Sequence, residues 1–200
     1  MRNAAWGLLL IAGLCAGAVG DASAGVNTTV ETRHYVINGQ TGAALLAGMD
    51  RRGPKHGFLT RAIAQTRYTI AWKMEWGETR TACRVKRADG ELAITYTYPK
   101  VGGRVSRDVQ RKWDRFLAGV TKHEKMHGLI AQQMVNEAQR SIGKLTIRND
   151  PGCRKSRREV SRRVDAVYAK YEKKQIGYDE REHREGGPVE GLIDALVRER

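Results

Sequence analysis

The chain has 200 residues, with 36 Lys and Arg against 22 Asp and Glu, for a formal net charge of +14 and a pI near 10.0. A mean hydropathy of -0.56 excludes a polytopic membrane protein, and 40% apolar residues exclude a chain too polar to bury a core. The basic residues are spread along the chain without zinc-finger spacing, an aromatic RNA-binding signature or a helix-turn-helix pattern, so no specific nucleic-acid partner is expected, and anionic envelope polymers or an acidic protein fit the charge equally well.

Residues 1–24 read as a secretory signal peptide. Arg2 is basic, residues 6–19 are almost wholly apolar, and Ala22-Ser23-Ala24 has the form of a cleavage site. Cleavage after Ala24 leaves residues 25–200, one domain's worth, secreted or periplasmic. No other stretch is apolar and long enough to span a membrane. Of the cysteines, Cys83 and Cys153 remain, and an even pair in an oxidising compartment predicts one disulfide.

Alternation and β-branched residues predict a strand over 28–37, and Asn38-Gly39 a turn. Thr41 then caps a short helix carrying Ala44, Leu45 and Met49, followed by a loop over 51–57. Residues 68–76 alternate as a half-buried strand. Two shorter strands follow, over 82–86 and 91–98, with Asp89-Gly90 between them as a hairpin signal. Residues 99–103 end the sheet, and a long helix spans about 105–144 with Ser106 as N-cap. Asp150-Pro151-Gly152 is a turn. Ser156-x-x-Glu159 reads as a capping box for a third helix, with Val160, Val164, Val167, Tyr168 and Tyr171 on one face. Gly177 and then Gly186-Gly187-Pro188 bracket a loop, and a last short helix covers 189–197. The expected fold class is α+β, a small and mainly antiparallel sheet followed by a long helix and C-terminal helices, in a zincin-like arrangement.

The chemistry lies in His123-Glu124-Lys125-Met126-His127, which spells H-E-x-x-H. Residues i and i+4 share one helical face, so two imidazoles there can share one Zn²⁺. Glu124 sits beside that face, placed to take a proton from an attacking water. Trp113, Phe116, Leu117, Val120, Leu129, Ile130 and Met134 recur around the motif at helical spacing, as a metal-binding helix requires. The bland alternative is two histidines and a glutamate packed on an amphipathic helix.

A catalytic zinc site ordinarily takes three protein ligands and keeps an open position. The extended pattern H-E-x-x-H-x-x-G-x-x-H fails here, because Ile130 and Gln133 stand at its later positions. His34 and His56 lie in the N-terminal third, and only His183 follows the motif. His183 is therefore expected as third ligand from the late loop, with Asp179 as the alternative and Glu137 or Glu172 behind it. Tyr178, by position, is a candidate to stabilise an oxyanion.

The chain resembles the DUF922 family of bacterial secreted, predicted zinc-dependent proteases. The resemblance covers most of residues 25–200. It rests on Tyr35-Val36-Ile37-Asn38-Gly39-Gln40-Thr41, Gly53-Pro54, the strand from Trp72 to Trp76, Cys83, Trp113 ahead of the five-residue motif, Cys153, and Tyr178-Asp179 followed by His183. It implies His123 and His127 as zinc ligands and Glu124 as catalytic base acting on a peptide or protein substrate. The family's late motif carries a His-Gly pair, whereas Arg184 follows His183 here.

Overall fold

The computed structural model describes residues 25–56 and 60–198. The expected signal peptide lies outside the described residues. Strand β1 (Val26–Ile37) leads into helix α1 (Gly42–Arg52), whose N-cap Thr41 accepts a hydrogen bond from the Ala44 amide. Two short strands, β2 (Lys55–His56) and β3 (Thr60–Arg61), pair with each other. Strand β4 (Gln65–Glu78) and the 20-residue strand β5 (Ala82–Val101) follow. Next come helix α2 (Arg107–Ile142), strand β6 (Thr146–Arg148), a 3₁₀ turn at Pro151–Cys153, helix α3 (Arg154–His183) and helix α4 (Pro188–Val197).

The architecture is α+β. The main sheet runs β1-β5-β4, with β6 pairing the start of β5. It is mixed rather than mainly antiparallel: β4 and β6 run antiparallel to β5, but β1 pairs with residues 90–101 in parallel. Alternation announces a strand but carries nothing about its direction: the chain returns through α1 into β4, antiparallel to β5, and the turn from β4 to β5 then lays β5 parallel beside β1.

The hairpin expected at Asp89-Gly90 does not form. Both residues lie inside β5, opposite Lys73 and Trp72 of β4. The glycine answers a different need. A Cβ on Gly90 would stand 2.7 Å from Val135 Cγ1 of α2 and 3.3 Å from the Trp72 ring, so its absence lets the helix settle onto the sheet. Asp89 pairs with Arg87 instead of closing a turn.

Helix α2 crosses the covered face of the sheet. Ser106 caps it by accepting from the Val109 amide, and its buried stripe of Trp113, Phe116, Val120, Ala131 and Val135 packs on Leu92, Ile94, Tyr96 and Tyr98 of β5. Helix α3 packs antiparallel to α2, with Arg163 Nη1 donating to the Ser141 carbonyl at one end and Gln175 paired to His127 towards the other. Val164, Val167 and Tyr171 join Ile130, Met134, Ala138 and Ile142 in a second apolar cluster.

Two further expectations are corrected in α3. The capping box is not used: Ser156 lies inside the helix and Glu159 pairs with Arg162 and Arg163. The buried Asp150 carboxylate takes the capping role, accepting from the Lys155 amide at 2.9 Å, the Ser156 amide at 2.8 Å and the Ser156 hydroxyl at 2.7 Å. Nor does Gly177 open a loop. The helix continues through it to His183, because one interior glycine weakens a helix by only about 1 kcal/mol relative to alanine. Cys83 and Cys153 form a disulfide between β5 and the 3₁₀ turn, with Cα atoms 5.3 Å apart. Among the described residues, no helix is long and apolar enough to cross a membrane.

Candidate metal centre

The motif residues lie in the middle of α2, on the side that faces the last two turns of α3. His123 and Glu124 are buried. The α3 side consists of Gln175, Tyr178, Asp179, Glu182 and His183, spaced i, i+3, i+4, i+7 and i+8, which is one helical stripe. Asp179 and His183 thus repeat on α3 the i, i+4 geometry of the two histidines on α2. The continuity of α3 sets this up, since a loop at 177–187 would not align them.

Three donor atoms converge. His123 Nε2 and His127 Nε2 are 3.1 Å apart. Asp179 Oδ1 lies 2.9 Å from His127 Nε2 and 3.3 Å from His123 Nε2. A tetrahedral ion with arms of about 2.0–2.1 Å requires donors spaced at about 3.3 Å, so the spacing fits a small divalent cation. His183 offers a further nitrogen: one ligand atom from each of His123, Asp179 and His183 fall within 4.8 Å of one another, a cluster that could hold a metal ion. The His123 and His183 rings meet edge-on at 5.1 Å. Distance therefore puts Asp179 ahead of His183 as the partner of the two motif histidines. Glu137 is engaged elsewhere, by Lys170 and Tyr171.

The electrostatics follow from this crowding. Burial lowers the affinity of His127 for a proton, but hydrogen bonds to Asp179 and Gln175 outweigh it and raise its pKa. Burial likewise pushes Asp179 up, and its contacts with His123 and His127 pull it far below the usual carboxylate range. His183 is held down by burial and by the neighbouring His123. His127 has acceptor-only oxygens on both sides, Gln175 Oε1 at 2.6 Å from Nδ1 and Asp179 Oδ1 at Nε2. Either a second ring proton or a cation must sit between Nε2 and Asp179.

Tyr178 stacks on His123 at 5.0 Å and meets His127 edge-on at 5.2 Å, so one ring packs against both imidazoles. Burial together with Glu182 and Asp179 pushes its phenol up to about 12, so it stays a neutral donor near neutral pH. The Glu124 carboxylate is held from the sheet: Thr66 Oγ1 of β4 lies 2.6 Å from Glu124 Oε2 and 3.0 Å from the Glu124 carbonyl oxygen. Directly after the motif, a Cβ on Gly128 would stand 2.0 Å from the Tyr96 hydroxyl, so the glycine admits that ring beneath the helix.

The structure brings together His123, His127, Tyr178, Asp179 and His183. His34 lies on the exposed part of β1, where its ring neighbours Tyr98. Sequence reasoning missed Thr66, Gln175 and Glu182. Thr66 carries no local signal, because 58 positions separate it from Glu124. Gln175 and Glu182 do carry one, the 3–4 spacing around Asp179, visible once Gly177 is allowed inside a helix.

Neither a curated protein nor a solved structure matches the chain. Residues 32–187, which contain the motif, the disulfide and the whole α3 stripe, match the family model described as bacterial protein of unknown function (DUF922). The chain belongs to the DUF922 family.

Proposed function

We propose that the protein is an extracytoplasmic, zincin-like metallopeptidase that hydrolyses peptide bonds with one Zn²⁺ per chain. The observation that carries this reading is the convergence of His123 Nε2, His127 Nε2 and Asp179 Oδ1 at separations of 2.9–3.3 Å on an H-E-x-x-H helix. His123, His127 and Asp179 would hold the ion, with His183 at the rim. When bound, zinc would supply Lewis-acid polarisation of the scissile carbonyl and acidify water. Glu124, kept in place by Thr66, would take the proton from the attacking water and pass it to the leaving amine. The neutral Tyr178 phenol would donate to the developing oxyanion. Strand β4 is at the edge of the main sheet and carries Thr66 beside Glu124, so an extended peptide adding to that edge would run past the site. The disulfide, together with the expected signal peptide, supports an oxidising, extracytoplasmic location.

A second reading has its own observation. Four donors, His123, His127, Asp179 and His183, are enough to close a tetrahedral site, and closed sites are structural. The protein would then be a non-hydrolytic, zinc-containing envelope protein. In its favour, α3 starts with Arg154, Lys155, Arg157 and Arg158 and has no acid in its first turn. That arrangement opposes the helix dipole and suits an anionic partner.

Metal content by mass spectrometry and cleavage of unfolded protein substrates separate the two. The peptidase reading expects about one zinc per chain, lost in His123→Ala and Asp179→Ala, and hydrolysis that Glu124→Gln reduces by about 10²–10⁴-fold with zinc retained. Zinc binding without cleavage of any substrate, in wild type as in Glu124→Gln, would decide for the closed site.

A further inference from the structure

Two polar side chains of the α3 stripe touch the motif histidines from behind, on the side away from the converging donor atoms. Gln175 lies one turn before Asp179. Its Oε1 is 2.6 Å from His127 Nδ1, and its amide nitrogen donates to the His127 carbonyl oxygen at 3.1 Å. With the amide nitrogen turned to the backbone, the oxygen is what faces the ring, and it can only accept. The His127 proton is thereby placed on Nδ1, and the Nε2 lone pair is turned towards Asp179.

His123 presents the matching problem unsolved. Its Nδ1 is buried and has no hydrogen-bond partner, and a buried donor left unpaired loses its water without a replacement. The carboxylate facing it is Glu182, one turn after Asp179, with Oε2 at 3.8 Å from Nδ1. The Glu182 side chain is 24% exposed, so it has room to rotate, and 3.8 Å is within reach of one such rotation.

We infer that Gln175 and Glu182 are the positioning residues of the metal centre, each accepting the Nδ1 proton of one motif imidazole and so turning both Nε2 atoms to the ion. This rests on the metal reading above but not on hydrolysis, and it holds whether the site is open or closed. Neither residue touches the ion or the substrate. Their effect runs through imidazole orientation and basicity, the usual work of outer partners of ligating histidines.

The test is competition for Zn²⁺ against a chromophoric chelator, using the purified protein and its Gln175→Ala, Glu182→Ala and Glu182→Gln variants. The thermal midpoint of each metal-free protein and the visible spectrum of each Co²⁺-loaded protein are measured beside it. Each alanine variant should lose about 10–100-fold in metal affinity, with a shifted Co²⁺ band; the metal-free midpoint should stay unchanged in Glu182→Ala and fall in Gln175→Ala, which loses both hydrogen bonds to His127. Glu182→Gln should recover most of the loss, since its amide oxygen still accepts from Nδ1. Affinities within twofold of wild type would overturn the inference. So would an unshifted Co²⁺ band in Gln175→Ala, or a fall in the metal-free midpoint of Glu182→Ala that tracks its loss of affinity, because the residues would then serve packing alone. A wild type that binds neither Zn²⁺ nor Co²⁺ would instead remove the metal reading itself.

Discussion

At the disulfide end, α2 and α3 meet through Ile142, Val164 and Val167, with Leu145 of the connection after α2 packed among them, and the Cys83–Cys153 bond ties the start of α3 to the sheet. Some turns away, the same two helices meet through His123, His127, Gln175, Asp179 and Glu182. The first region is satisfied by its own chain. Apolar burial, a covalent link and the Asp150 cap leave no buried side-chain donor or acceptor unpaired there among the described residues. The second contains a buried unpaired nitrogen and a carboxylate between two imidazoles. It is complete only when protons or a cation sit between these groups. The lesson is a division of labour along one helix pair: the closed end holds the helices in register, so that the polar end, with only Met126 and Tyr178 packed at the margin of the apolar cluster, can keep donor atoms at metal-binding distances.

If the closed end sets the register, breaking it should have the largest effect on stability. Cys153→Ser opens a link across 70 positions, and the chain-entropy relation gives a loss of about 4 kcal/mol, measurable by urea denaturation. Hydrogen exchange should rise first in residues 146–160 and only afterwards in 175–183. Simultaneous loss of protection in both segments would mean that the two ends are one cooperative unit, and the contrast would fail.

A smaller effect is expected from Gly128→Ala, which loads the polar end. The added methyl would collide with the Tyr96 hydroxyl, and overpacking of this kind costs about 1–3 kcal/mol. Because Gly128 adjoins His127, zinc affinity should fall along with the thermal midpoint. A midpoint that falls while affinity stays at the wild-type level would show that the donor set is insulated from the sheet beneath it.

The mildest test concerns pH at the closed end. Burial raises the Asp150 pKa, but the amides of Lys155 and Ser156 and the Ser156 hydroxyl outweigh it, so its folded value lies below the ordinary one. A carboxyl depressed by folding contributes stability above its unfolded pKa of about 3.9, and that contribution is lost as pH falls through the folded value. Glu159, drawn down to about 2 by Arg162 and Arg163, works in the same direction. Thermal midpoints between pH 6 and pH 2 should therefore fall less steeply in Asp150→Asn than in wild type. Parallel curves would show that the cap does not act through its charge.

Much of the molecule was readable before any fold was known, and the reasons are local. Thr41 and Ser106 cap helices because a side-chain oxygen reaches an amide three residues on. The apolar stripe of α2 follows from 3.6-residue periodicity, and His123 and His127 share a face for the same reason. Cys83 and Cys153 pair as parity and compartment predict. The misreadings have local causes too. Asp89-Gly90 carries a turn signature that continuous pairing with β4 overrides, and Gly177 carries a break signature that packing of α3 on α2 overrides.

What the sequence determined by itself, then, is whatever depends on neighbours within a few residues: the strands as alternating runs, the helix caps, and two imidazoles on one face with a glutamate beside them. Only the tertiary structure decided the parallel direction of β1, the hold of Thr66 on Glu124, the advantage of Asp179 over His183 in distance, and the places of Gln175 and Glu182 behind the two rings. Each of these depends on groups separated by tens of residues, and their approach is set by how α2 lies on the sheet and α3 on α2. Periodicity shows that a face will be buried but not what it will be buried against.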